Sequence, residues 1–329
     1  QREKESEAKG RLRGLGLCYY IESILGDPSE EAKVVFEEDG GVKIFVGTQS
    51  NGQGHETVFA QFLSDQTGIP TEKIIVVQGD SDLIPRGGGT GGSRSVTVQN
   101  NATLATVEKI IQSFSQYLSE KLEVDVEDIG FDDTSFRIKG SNYSPNALEV
   151  AKMACEDHRF DLLKHSAKAT LDARSFPNGA HFAEVEVDPE TGFVQVVKYC
   201  VVDDFGNLIN PMLAEGQVHG GVAQGIGQAL YENVVYDQEG QLLTATFMDY
   251  GIPRAQDLPY YKFETECVPS TANIMGMKGC GEAGTVGALA AVANAVQDAL
   301  WGFGIQQVDM PFTSEKIWSM INSGKLAAE

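Results

Sequence analysis

The run Met277-Lys278-Gly279-Cys280-Gly281-Glu282-Ala283-Gly284-Thr285-Val286-Gly287 sets one carboxylate among four glycines, and an alanine-rich apolar segment, Ala288 to Leu300, follows at once. Glycines at that density let backbone approach a bound group closely and adopt left-handed conformations without steric cost. Ala290, Ala293, Val296, Ala299 and Leu300 recur at helical spacing. Glu282 is therefore predicted on a loop that opens a helix, where free N–H groups favour anions. A carboxylate on a tight glycine loop is an odd choice for solubility alone. It reads as a candidate catalytic base.

Two upstream stretches share this form. The polar loop Gly47-Thr48-Gln49-Ser50-Asn51-Gly52-Gln53-Gly54-His55-Glu56-Thr57 leads into a helix carrying Val58, Phe62 and Leu63 that ends near Gly68. A buried-strand candidate, Ile74 to Val77, precedes Gly87-Gly88-Gly89-Thr90-Gly91-Gly92-Ser93-Arg94-Ser95 and a long helix, Val98 to Leu122. Gln53, between Gly52 and Gly54, suits an amide gripping a phosphate or heterocycle, with a polar-tipped turn as the alternative. Ser93, Arg94 and Ser95 place hydroxyls and a guanidinium before a helix, which favours an anion site over a floppy glycine loop. A helical segment from Leu213 to Tyr231 carries Gly216, Gln217, Gly220, Gly221, Gln224, Gly225, Gly227 and Gln228. Each glycine costs a helix about 1 kcal/mol relative to alanine, so something must pack very close to it.

The remaining pattern is strands and turns. Arg11 to Glu22 reads as a strand. Asp39-Gly40-Gly41 joins two strand candidates in a hairpin, and Asp188-Pro189-Glu190-Thr191-Gly192 does so again. Strands are expected over Ala167 to Asp172, near Val234 and over Tyr261 to Val268, and helices over Asn146 to Cys155 and Ser314 to Ile321. No unit of about 20–50 residues recurs, which excludes a solenoid. The expectation is a mixed α+β fold of two α/β sub-domains, residues 1–165 and 166–329.

The 329 residues are 42% hydrophobic and carry a formal net charge of −22. Nucleic-acid phosphates and anionic membrane surfaces would repel such a chain. No run of about 18 apolar residues stands out, so no membrane partner is expected. Gln1 to Lys9 lacks a signal-peptide core and reads as a solvated helix or linker in a chain that began earlier. Five cysteines without a C-x-x-C pair disfavour a disulfide scaffold, zinc site or iron–sulfur cluster in this chain, and make cytoplasmic the default location. The five histidines show no metal spacing. Gly279-x-Gly281-x-x-Gly284 matches the dinucleotide fingerprint in form, but no strand runs directly into it and no acidic residue ends a second strand downstream, so a Rossmann reading is rejected. Cys280 has no histidine base nearby in sequence and is assigned packing or cofactor contact rather than nucleophilic attack. Tyr19 and Tyr20, beside Cys18, could line an aromatic substrate pocket, although core packing fits them as well.

Taken together, Gly52-Gln53-Gly54-His55-Glu56-Thr57, Gly92-Ser93-Arg94-Ser95, Val201-Val202-Asp203-Asp204-Phe205-Gly206-Asn207 with Ile209-Asn210-Pro211, Gly216-Gln217 with Gln224-Gly225, and Lys278-Gly279-Cys280-Gly281-Glu282-Ala283-Gly284 resemble the molybdenum hydroxylases. That is the xanthine dehydrogenase, aldehyde oxidase and carbon monoxide dehydrogenase large-subunit family. The motifs occur in family order from near residue 10 to the C-terminus. The resemblance implies the family's molybdopterin-binding fold and a molybdopterin cytosine dinucleotide, its molybdenum held through the pterin dithiolene and by no protein side chain. Gly52, Gln53, Gly54, Ser93, Arg94, Ser95, Gln217, Cys280 and Gly281 would contact that cofactor, and Glu282 matches the family's general base.

The implied reaction is hydroxylation of an electron-poor carbon of a small molecule, first an aromatic N-heterocycle, with water as oxygen source. Purine, aldehyde or carbon monoxide oxidation and a non-catalytic cofactor-binding homologue are the alternatives. Family large subunits also carry a further N-terminal half with a loop facing the metal from the opposite side, which this sequence does not match. The resemblance therefore implies half of a split molybdenum subunit, or equally a fragment of a longer polypeptide, and the split reading brings three partners: a second molybdopterin subunit, an iron–sulfur subunit with 2Fe-2S clusters, and an FAD subunit.

Overall fold

Two four-stranded sheets frame the computed structural model, which describes residues 2–326. After helix α1 (Arg2–Glu7) come strand β1 (Leu12–Ile21) and the hairpin of β2 (Ser29–Phe36) and β3 (Val42–Val46). Helix α2 (His55–Thr67) leads to β4 (Ile74–Val77), which runs parallel to β3. The long helix α3 (Ser95–Leu122) precedes a small ribbon, β5 (Ile129–Phe131) and β6 (Phe136–Ile138), then α4 (Ala147–Glu156) and β7 (Lys164–Thr170). The second hairpin is β8 (Asn178–Val187) and β9 (Val194–Asp204). Helix α5 (Pro211–Leu230), β10 (Tyr261–Thr265), α6 (Ala283–Leu300) and α7 (Ser314–Leu326) follow.

The strand orders are β4-β3-β2-β7 and β1-β8-β9-β10, a mixed α+β arrangement in which antiparallel pairs outnumber the parallel β3–β4 and β9–β10 pairs. The boundary expected at residues 165 and 166 falls within β7, and β1 crosses over to pair with β8. One core lies between the first sheet and α2, α3 and α4, around Ile44, Phe59, Phe114 and Val150. The other lies between the second sheet and α5, α6 and α7, around Val185, Tyr199, Val222, Val292 and Ile317.

Local sequence explains the helix starts. Asn146 and Glu149 close a reciprocal capping box on α4. At α5 the Asn210 side chain accepts from the Leu213 N–H at 3.0 Å while Pro211 occupies the first turn. The alanines of α6 have a different cause. A Cβ at Gly14 would sit 1.9 Å from the Ala295 carbonyl oxygen, and one at Gly16 2.0 Å from that of Ala291. The helix thus rests directly on the backbone of β1, and only small side chains fit the seam.

Two expectations change. Ala283–Phe303 is long and apolar enough to cross a membrane by length and composition, contrary to the reading that no such run exists. Here it serves as a core helix packed on β1 and α5. No strand forms near Val234; that region contributes a single bridge between Tyr236 and Leu242, because the chain there turns through Asp237 and Gly240 within four residues of that bridge's first member.

Candidate cofactor and active site

Four helices begin around one cleft. Its wall takes Gln53 and His55 from the start of α2, Ser93, Ser95 and Val96 from that of α3, Asn210 and Leu213 from that of α5, and Glu282 just ahead of α6. The N-terminal turns of four helices, with the positive ends of their dipoles, thus border a cavity of about 320 Å³. In a chain of net charge −22, helix N-termini gathered in this way suit a phosphate-bearing ligand. Val58, Phe205, Leu208, Ile209 and Ala214 make the rest of the wall apolar.

The Glu282 loop is pinned from behind. The Lys278 N–H donates to the Phe205 carbonyl at 2.8 Å and the Asn207 N–H to that of Gly276 at 2.9 Å, stitching the loop to the end of β9. The Lys278 ammonium also pairs with Asp204. Burial would raise the Asp204 carboxyl, but Lys278 and the N–H groups of Val268 and Gly206 outweigh it and hold the group below its ordinary range. Gly279 passes so near the other loop that a Cβ there would lie 2.1 Å from the Ser93 carbonyl oxygen. Ser93 itself has φ +55°, a left-handed conformation uncommon for a residue with a side chain.

Glu282 is half-buried and lines the cleft. Its Oε1 accepts from the Gly92 N–H at 3.0 Å and its Oε2 meets the Ser93 hydroxyl, while its own N–H donates to Ser93 Oγ at 3.1 Å. Each carboxylate oxygen has two lone pairs, so each keeps an acceptor position beyond its protein partner.

Gln53, Ser93, Ser95, Gln217, Cys280 and Gly281 come together with Glu282 in this cleft. Gly52 (φ +105°) and Gly54 (φ +80°) shape the loop beside it without lining it. Burial, helped by the charges of Glu22, Asp203 and Glu282, pushes the Cys280 thiol up to about 12, away from the thiolate form. Three residues lie elsewhere. The Arg94 guanidinium is 2% exposed and turned inward, bonded to Glu30 at 2.8 Å and to the carbonyls of Asp27, Ser29 and Gly89. It holds the glycine loop together from inside rather than presenting a fork to the cleft. Tyr19 is 74% exposed on the outer face of β1, since strand residues alternate between faces. Tyr20 is buried, donating to Asp203 Oδ1 at 2.9 Å, and burial raises its hydroxyl. Neither tyrosine lines the cleft.

His55 and Asn210 are among the cleft residues that carry no role in the sequence reading. His55 is buried with Nδ1 unpartnered, and burial lowers its pKa and keeps the ring neutral. Asn210 is there because it caps α5. An orphaned buried ring nitrogen, two carboxamides with both donors and acceptors, and four helix N-termini fit the donor and acceptor edges and the phosphate of a molybdopterin cofactor.

The molybdopterin cofactor-binding domain family matches residues 1–259. The nicotine 6-hydroxylase large subunit of Paenarthrobacter nicotinovorans is 36% identical over 340 residues, covering 96% of this chain and 41% of that protein. The carbon monoxide dehydrogenase large chain of Afipia carboxidovorans is 30% identical over 336 residues, covering 97% and 42%. The crystal structure of quinoline 2-oxidoreductase from Pseudomonas putida 86 superposes with a TM-score of 0.88 at 32% identity, covering 98% of this chain and 43% of that one. The chain thus spans about two fifths of the length of the curated relatives it matches.

Proposed function

Since this chain belongs to the molybdenum hydroxylase family as a molybdopterin-binding polypeptide, we propose that it contributes the base, Glu282, to an enzyme that hydroxylates an electron-poor carbon of an aromatic N-heterocycle such as nicotinate. The observation that carries this reading is the position of Glu282 on the wall of the cleft that four helix N-termini surround. The cofactor is molybdopterin cytosine dinucleotide. Gln53 and Gln217 offer carboxamides to its ring edges, and the backbone at Gln53, Ser93 and Ser95 with the Ser95 hydroxyl offers donors to its phosphates. When bound, the molybdenum supplies an oxygen nucleophile drawn from water and accepts the electron pair. Glu282 takes up the proton that the nucleophile must lose, and the Gly92 N–H and Ser93 hydroxyl fix its carboxylate in one orientation.

Two comparison proteins whose names specify a substrate ring, nicotine and quinoline, share 36% and 32% identity, against 30% for the carbon monoxide enzyme. The two ring-named proteins support the heterocycle reading, with the carbon monoxide enzyme only a few per cent behind them. Partner chains follow from the same reading: a second molybdopterin polypeptide to close the cleft, and iron–sulfur and FAD subunits to carry electrons away. The outer face of β1, with Leu17, Tyr19 and Ile21 60–74% exposed, supports a covering partner. In the assembled enzyme, Glu282→Gln is expected to leave about one molybdenum per chain and to lower kcat by roughly 10²- to 10⁴-fold. Metal analysis with steady-state kinetics checks this, and undiminished turnover with full metal content overturns it.

A further inference from the structure

Ser93 stands between two carboxyl groups, and only one of them is accounted for. On one side is Glu282. On the other is Glu22, placed just beyond β1 by a hydrogen bond from its N–H to the Pro177 carbonyl at 2.8 Å. Ser93 Oγ lies 2.6 Å from Glu22 Oε1 and also contacts Glu282 Oε2. A serine hydroxyl has a single hydrogen, so it cannot donate to both carboxylates at once. The second contact calls for one more proton on the pair. Glu22 Oε2 is buried with no partner, so the charged form of Glu22 is poorly solvated and its affinity for a proton is raised.

We propose that Glu22 is the proton-accepting partner of Glu282, joined to it through the Ser93 hydroxyl. The inference rests on Glu282 being the base. In the transfer, Glu282 gives its proton to Ser93 Oγ while the Ser93 hydroxyl gives its own to Glu22 Oε1. One O–H bond breaks and one forms at the serine, one negative charge moves from Glu22 to Glu282, and no electrons change owner. Glu282 is thereby returned to its basic form while the proton leaves the cleft wall.

The groups facing Glu22 are Ser93, Glu282, Tyr20 and Cys280, none of them a cation. The two nearby cations are engaged elsewhere, Arg94 with Glu30 and Lys278 with Asp204. Burial pushes the Glu22 carboxyl up to about 7; the Ser93 hydrogen bond opposes this and the charge of Glu282 adds to it. A relay group poised there can both accept and release a proton near neutrality. Because the two carboxyls interact, the observed titration belongs to the pair.

Two readouts test the relay. In the full chain without cofactor, infrared difference spectra should show a protonated-carboxyl band that titrates near pH 7 and disappears in Glu22→Gln. In Glu282→Gln the band should persist with a lower midpoint, since a neighbouring negative charge is gone. In the assembled holoenzyme, Glu22→Gln should lower kcat roughly 10-fold or more with little change in KM, and should remove the limb of the kcat–pH profile near 7. Glu22→Asp should recover part of both signals. If Glu22→Gln leaves the band and the profile intact while Glu282→Gln abolishes turnover, the relay is wrong and the base stands. If Glu282→Gln remains fully active, the base reading itself fails.

Discussion

At the scale of single residues, desolvation decides what the charged groups do. Arg94 and Glu30, each at most 3% exposed, form a buried pair at 2.8 Å. Removing one member of such a pair strands the other charge and costs about 3–5 kcal/mol. Arg94→Met is therefore expected to lower the thermal midpoint sharply, with Arg94→Met/Glu30→Leu recovering part of the loss; calorimetry on the three chains checks this. The loop was legible in sequence as a glycine-rich helix start, but the role of its arginine was not, because Glu30 is 64 positions away. Glu22 was equally hidden, as a polar residue at a strand end looks ordinary until folding brings Ser93 to it. Its folded pKa of about 7 lies above the ordinary 4.5, so the folded chain binds this proton more tightly than the unfolded one. The stability it contributes is whole below about 4.5 and is lost as pH rises through about 7. The melting temperature of Glu22→Gln should therefore gain on that of the natural chain across this interval, and be no higher below it.

At the scale of elements, the glycines of α5 were readable as a demand for close packing, though not what meets it. The structure supplies α6. A Cβ on Gly284 would fall 2.5 Å from the Val218 carbonyl oxygen and 2.7 Å from the Val222 nitrogen, and one on Gly221 would lie 2.9 Å from the Gly284 Cα. These contacts set how far Gln217 on α5 stands from Glu282 ahead of α6. Gly284→Ala is expected to cost about 1–3 kcal/mol through overpacking and to weaken cofactor retention by spreading the two cleft walls. Gly220 belongs to the same helix, yet a Cβ there meets nothing within 4 Å. Gly220→Ala should instead stabilise by about 0.4–1 kcal/mol. Denaturant titration of both variants separates a seam glycine from an ordinary one. Gly14 and Gly16 belong to the same class and escaped notice, because two glycines in a strand give no sign of the helix that lies on them.

At the scale of the whole molecule, one sheet has a covered face and an open one. Helix α6 packs on the Gly14–Gly16 side of β1, so the alternate residues Leu15, Leu17, Tyr19 and Ile21 face outward, 49–74% exposed. Leu17 is paired with Phe182 on β8, and Tyr19 with Ala180, whose own partner on β9 is Val202. Phe182 and Val202 are 38% and 43% exposed, which extends the apolar patch across three strands. Alternation was visible in the sequence of β1, but a period of two does not say which face the core takes, and so the tyrosines could be assigned to either side. An exposed apolar sheet face of this size marks an interaction surface, and a polypeptide that completes the cleft beside Glu282 would lie within reach of the same strand. Leu17→Glu/Tyr19→Glu changes only exposed side chains, so the isolated chain should keep its stability to within about 0.5 kcal/mol and self-associate less in sedimentation velocity. If the proposed second molybdopterin polypeptide covers this face, the same variant should fail to form a complex with it, because two carboxylates would have to be buried against an apolar surface without partners. Assembly that proceeds normally with both glutamates in place would move the partner surface away from β1, leaving the outer face of α5, where Met212 is 74% exposed, as the next boundary of the cleft to probe.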